Sequence, residues 1–160
     1  MDKTKNLKLY IELVPKTCWY ENLRKVLSKA EWGRIRKQTY SESKNKCSIC
    51  GSEGRLNCHE IWEYDDKSNT QTLRGFQALC DNCHNIKHIG FVNVQISKGI
   101  WPKEVMDNLA KHFMKVNNCS MTIFKQHVKE VFNTWQERSK KNWTTDLGKF
   151  KKNPSQKTLF

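Results

Sequence analysis

Cys47-Ser48-Ile49-Cys50 and Cys80-Asp81-Asn82-Cys83 are two CxxC pairs separated by 29 residues. Each pair can direct two thiolates at one ion, and four thiolates complete a tetrahedral zinc site with no open position. A thioredoxin-like redox role would use one CxxC and leave the other unexplained. The separation exceeds the roughly 15–20 residues of a simple zinc ribbon, so the intervening chain must form structure of its own. Inside and just after it lie three further metal-competent or basic side chains. His84 and His88 are four residues apart, which on a helix puts both imidazoles on one face. A filled four-sulfur site cannot accept them, so they point to a second ion; the bland alternative is one helix cap and one surface histidine. His59 follows Cys58 in a stretch that reads as a strand, where neighbouring side chains leave on opposite sides. One can then face a metal while the other serves as a base. That division suits phosphodiester hydrolysis: an imidazole removes a proton from water, and a divalent ion stabilises charge on the phosphoryl group.

As a set, Cys47-x2-Cys50, Cys58-His59-Glu60-Ile61 and Leu79-Cys80-x2-Cys83-His84-x2-Lys87 resemble the HNH endonuclease family, the zinc-knuckle branch of the ββα-metal (His-Me finger) nucleases. The resemblance spans roughly residues 46–90. It implies that His59 is the general base, that His84 is a metal ligand on the ββα helix, and that His88 adds a second, as in colicin-type members. The position before the base is usually Asp or His and binds the metal; here it is Cys58, a soft ligand that favours zinc or another transition metal over magnesium. Glu60, Glu63 or Asp65 are the alternatives to it. Where the family carries its middle Asn this chain has Gly75, and Asn69 is the nearest substitute.

Positioning these residues requires a hairpin and a helix. Leu56 to Tyr64 reads as a strand, Asp65 to Asn69 as a turn cluster, and Gln71 to Gly75 as the returning strand. Asp81 can cap a short helix bearing His84 and His88. Upstream, Leu7 to Val14 reads as a short strand or extended arm ending at Pro15, and Ser28 to Glu31 is a capping box that opens a helix. Downstream, Pro102 suits a first helical position before an apolar stripe of Val105, Leu109, Phe113 and Val116. Ser120 can cap a second helix whose stripe runs from Phe124 to Trp135. The expected fold is therefore α+β: one domain over 1–160, with a ββα-metal core at about 46–90 stapled by a four-cysteine zinc knuckle. A basic arm and helix at 1–45 precede it, and amphipathic helices at 101–148 and a frayed basic tail at 149–160 follow. Cys18 and Cys119 have no partner at ligand spacing and read as ordinary buried thiols.

The formal charge is +13, and its placement is uneven: residues 1–46 carry +7, residues 47–100 carry −1, and residues 101–160 carry +7. A near-neutral, metal-rich middle between two basic flanks suits a phosphate backbone as partner, here double-stranded DNA, with no role for a membrane. Met1 to Lys8 lacks a secretion signal, so reduced thiols and a cytoplasmic location are expected. A zinc deaminase would show His-x-Glu and Pro-Cys-x2-Cys, but here His59 and Glu60 are adjacent and Leu79 precedes Cys80. A metalloprotease HExxH fails at Asn85. A two-Cys, two-His finger fails because eight residues separate Cys50 from His59. The expectation is a metal-dependent endonuclease with structural zinc and a second Mg2+, Mn2+, Ni2+ or Zn2+. The alternative is a zinc-knuckle DNA- or RNA-binding module that cuts nothing.

Overall fold

The sheet grows from a hairpin whose two strands, β1 (Asn57–Asp65) and β2 (Thr70–Leu79), pair antiparallel from Asn57↔Leu79 to Asp65↔Thr70. Asp65 closes the turn: its carboxylate accepts from the Lys67 backbone N–H at 2.9 Å and from the Ser68 hydroxyl at 2.8 Å. Asn69 takes the left-handed backbone that Asn tolerates better than most residues, at φ +50°. The register slips at Ile61/Trp62, so Trp62 faces Leu73 and Tyr64 faces Gln71. A short third strand, β3 (Thr144–Asp146), joins β2 in parallel, making β2 central in the three-stranded sheet. These features come from a computed structural model that describes residues 6–19 and 23–151.

Five α-helices surround the sheet in the described residues: α1 (Lys29–Glu42), α2 (Asp81–Lys87), α3 (Ile89–Ser97), α4 (Glu104–Asn117) and α5 (Met121–Ser139). Helix α1 opens on the expected capping box, in which Ser28 and Glu31 satisfy each other's backbone N–H groups, an arrangement worth about 1 kcal/mol. It covers one face of the hairpin, where Trp32 meets Phe76 edge-on at 5.9 Å and the Tyr40 hydroxyl donates to the Leu56 carbonyl at 3.0 Å. On the other side, Leu79, Ile86, Ile89, Val92, Leu109, Phe113 and Phe124 form the main core together with Leu9 and Ile11. Helix α4 ends on Asn118, which takes the left-handed conformation that Asn tolerates.

Several expectations shift. The returning strand runs to Leu79 rather than Gly75. Cys80, not Asp81, caps α2 through its sulfur, and His88 lies at the bend between α2 and α3 rather than inside a helix. Pro102 stands two residues ahead of α4 instead of opening it. Helix α3 and strand β3 were not anticipated. Cys18 is buried, whereas Cys119 is only half-buried.

The segment from Leu9 to Val14 is the arm rather than a strand, and three side chains and one helical carbonyl take the place of a sheet partner. Asn117 accepts from the Leu9 N–H at 2.9 Å and donates to the Leu9 carbonyl at 2.8 Å. Ile11 N–H donates to His127 Nε2 at 3.0 Å, Glu12 N–H to the Lys87 carbonyl at 3.1 Å, and Trp135 Nε1–H to the Val14 carbonyl at 2.9 Å. Four residues drawn from α2, α4 and α5 thus lock the arm against the core. Each buried backbone group that lost its partner would cost on the order of 1–3 kcal/mol.

His127 can accept from Ile11 only while Nε2 is unprotonated. Burial, the largest influence, holds its pKa below the usual 6.5. The folded chain therefore binds fewer protons here than the unfolded chain, and stability is lost as pH falls below about 6.5. We expect the urea midpoint to drop between neutral pH and pH ~5, and His127→Gln, which keeps an acceptor but cannot titrate, to flatten that dependence. An unchanged slope in the variant would remove His127 from the account.

Candidate functional site

The four-sulfur cluster is built where β1 begins and β2 ends. Ser48 N–H donates to the Ala78 carbonyl at 2.8 Å, which pins the first CxxC beside the end of β2. Gly51 supplies the left-handed residue, φ +77°, that lets the knuckle turn back so that Cys47 N–H reaches the Ser52 carbonyl at 2.9 Å. The second CxxC starts α2, with Cys83 N–H donating to Cys80 Sγ at 3.5 Å. All four sulfurs, of Cys47, Cys50, Cys80 and Cys83, lie within 4.8 Å of one another, close enough to hold a metal ion and consistent with structural zinc. Electrostatics favour a cation. Hydrogen bonds from Cys80 and Cys83 drive the Cys47 thiol far below its ordinary range, while the same contacts with Cys47 push Cys80 and Cys83 up. The Cys47 thiolate is thereby solvated by its neighbours, while ionising Cys80 and Cys83 as well calls for a positive charge among them. His112 of α4 adds a partner that no spacing in the sequence signals: its Nε2 lies 3.2 Å from Cys83 Sγ and donates to it once the sulfur is a thiolate.

Three imidazoles converge where the hairpin meets α2. His59 projects from β1, His84 from α2, and His88 from the bend after it, and one nitrogen of each lies within 4.8 Å of the others. Their ring centroids are separated by 5.6 Å (His59–His84), 4.9 Å (His59–His88) and 4.6 Å (His84–His88). Burial, reinforced by the other two imidazoles, pushes His88 down to about 3, so near neutral pH it offers a lone pair rather than a charge. Cys58 is not brought to this cluster. Its Sγ–H points to the opposite face of β1 and donates to Thr39 Oγ1 of α1 at 3.7 Å, the opposite-sides geometry expected of adjacent strand residues. Glu63 is drawn to Arg74 on the surface and Asp65 to the turn, so neither replaces it. Asn69 is at the far end of the hairpin from His59, about 20 Å along the strand at ~3.3 Å per residue.

A residue the sequence reading passed over, Glu12 of the arm, orients His59. Its Oε2 lies 3.0 Å from His59 Nε2 and its Oε1 3.0 Å from Lys87 Nζ, with side chains only 7 %, 3 % and 1 % exposed for Glu12, His59 and Lys87. Burial alone would raise the Glu12 pKa, but the hydrogen bond from His59 and the Lys87 charge hold it below the usual carboxylate range. An ionised carboxylate only accepts, so His59 Nε2 carries a proton, and in the neutral ring Nδ1 carries the lone pair. That Nδ1 is buried and has no hydrogen-bond partner among the described residues. A lone pair fixed in tautomer by a carboxylate, beside two more imidazoles, is the donor chemistry a transition metal or a proton requires. Lys87 is itself steadied by the Tyr10 ring, whose centroid is 3.2 Å from Nζ. His88 also stands on the wall of a cleft of about 780 Å3, which Glu12, Glu60, Trp62 and Gln71 help to line.

Two outcomes check this geometry. Glu12→Gln strands the buried Lys87 ammonium and should cost roughly 3–5 kcal/mol in urea unfolding; adding Lys87→Met should recover a large part, and strict additivity would exclude coupling between the pair. Purified protein should carry one zinc that Cys83→Ser removes, with a clear drop in the thermal midpoint. Full stability without bound zinc would exclude a structural role for the sulfurs.

Compared with protein-family models, curated proteins and solved structures, the chain matches none of them.

Proposed function

We propose that the protein is a metal-dependent endonuclease that hydrolyses DNA phosphodiester bonds at the three-histidine cluster, using a ββα-metal arrangement of β1, β2 and α2. The observation that carries this reading is the meeting of His59, His84 and His88 at the hairpin–helix junction, with the Glu12 carboxylate 3.0 Å from His59 Nε2. His84 and His88 would hold a divalent ion. Such an ion supplies Lewis-acid stabilisation of charge on the phosphoryl group and the departing oxygen. Nitrogen donors favour a transition metal over magnesium. His59 Nδ1 takes the proton from the attacking water. Glu12 stabilises the imidazolium that results, and Lys87 keeps Glu12 ionised so that it does not take the His59 proton itself. The basic flanks attract the phosphate backbone from a distance. No helix among the described residues is long and apolar enough to cross a membrane.

The competing reading is a zinc-knuckle module that binds nucleic acid without cutting it. Its weakness is the buried Glu12–His59 pair, because a binding surface gains nothing from an imidazole held by a carboxylate beside two more imidazoles inside the protein.

Supercoiled plasmid incubated with the zinc-loaded protein and added Mn2+, Ni2+, Zn2+ or Mg2+ should be nicked or linearised. His59→Ala and His84→Ala should each lower the rate by roughly 10²-fold or more. Binding without cleavage of either supercoiled or single-stranded DNA in all four metals would establish the binding module instead.

A further inference from the structure

We infer that the cleft beside His88 receives an unpaired nucleobase, so that the strand cut by this protein is single-stranded or splayed at the scission point. The inference rests on the nuclease reading for the chemistry at the cluster, but the cleft makes its own case. Six large apolar side chains are well exposed among the described residues, and three of them, Trp19, Phe91 and Val94, line this one cleft. Trp19 and Phe91 are each 56 % exposed. A soluble chain scatters such groups singly; their convergence marks a binding site. Trp135 continues the aromatic wall, stacked on Trp19 with ring centroids 6.3 Å apart.

The position of the cleft identifies the occupant. His88 is part of its wall, whereas the neighbouring cavity of about 500 Å3, lined by Tyr10, Glu12 and Tyr64, carries none of the three imidazoles. A substrate approaching the cluster through the cleft therefore lies against aromatic carbon. Intact duplex presents phosphates and sugars outward and keeps base faces stacked, which calls for a cationic wall. Among the described residues Lys98 is the one Lys or Arg lining this cleft, and Glu12 and Glu60 share the wall with it. Flat rings exposed next to the cluster match the π-face of an unstacked base, the surface that single-strand binders use without regard to sequence. Gln71, on the same lining, donates its amide nitrogen to Thr145 at 2.9 Å and keeps a buried Oε1 with no hydrogen-bond partner among the described residues. That oxygen matches an exocyclic amino group of a base. The cleft volume of about 780 Å3 is ample for a nucleotide.

The test uses the full chain without added second metal and three fluorescein-labelled DNA probes: a short single strand, the same strand with an abasic stretch at its centre, and its duplex. The normal single strand should bind most tightly. Phe91→Ala should weaken its binding roughly 5- to 150-fold, the range for loss of one base–aromatic stack, while leaving the abasic strand unaffected; Phe91→Tyr should keep the preference. Equal binding of the normal and abasic strands overturns the inference. So does a Phe91→Ala protein that changes its self-association in sedimentation without changing probe affinity, which would make the cleft a protein interface. Base-dependent binding with no cleavage of any DNA would leave base capture by the cleft standing and defeat the nuclease reading. Equal cleavage of single strand and duplex, untouched by Phe91→Ala, would do the reverse.

Discussion

Four sulfurs held within 4.8 Å of each other cannot all ionise unless a cation lies among them, and that constraint organises the rest of the chain. The first pair of sulfurs belongs to the loop before β1, pinned beside the end of β2; the second pair is the first turn of α2. Drawing them together fixes the angle at which α2 leaves the hairpin. Because α2 is only seven residues long, its own hydrogen bonds could not set that angle. The same angle brings His84 and His88 against the strand that carries His59. His112 extends the constraint to α4, so the helical half of the core is referenced to the sulfurs as well.

A second constraint runs through the arm. A buried carboxylate and a buried ammonium are costly apart and roughly neutral together, so Glu12 and Lys87 specify one docking of the arm instead of adding much net stability. The reciprocal bond from Glu12 N–H to the Lys87 carbonyl makes that docking two-point. His59 then draws on the same carboxylate, so arm placement and imidazole orientation are a single event. The arm contributes no strand to the sheet. Its register is set by Asn117, His127 and Trp135, whose polar atoms reach its backbone from two different helices.

The parts legible in the sequence were those with short-range signatures. CxxC spacing, the alternation of Cys58 and His59, the turn cluster after Asp65, and the Ser28 and Ser120 caps each depend on residues within a few positions, and each matches the fold. Helix α3 carries apolar residues at Ile89, Val92 and Ile96, a helical spacing, but Gly90 and a run of β-branched residues weaken its propensity. Only packing on the core makes it a helix. Strand β3, at three residues, is too short to have a period. Glu12 was invisible for another reason: it is 47 positions from His59, and nothing local distinguishes it from a surface glutamate. Lys87 in the Cys83-His84-x2-Lys87 run was the available hint, since a lysine on the inner side of a short helix needs a buried anion from somewhere. Cys58 shows the converse. Resemblance suggested a ligand, whereas strand alternation alone already required that it and His59 diverge.

Charge and aromatic surface then divide the proposed recognition between two ranges. The basic flanks act over about a Debye length, ~8–10 Å at physiological salt, and cannot distinguish one nucleic-acid conformation from another. The cleft acts only at contact, where the Trp19–Trp135 stack and Phe91 would reward a base face that duplex DNA hides. The first range gathers any phosphate backbone, and the second admits one conformation of it to the imidazoles. In that proposal the order would also shield the centre: the three histidines sit at a junction that is near-neutral in sequence, with Glu12 bonded to His59, so phosphates held on the flanks would reach them only once a strand had opened.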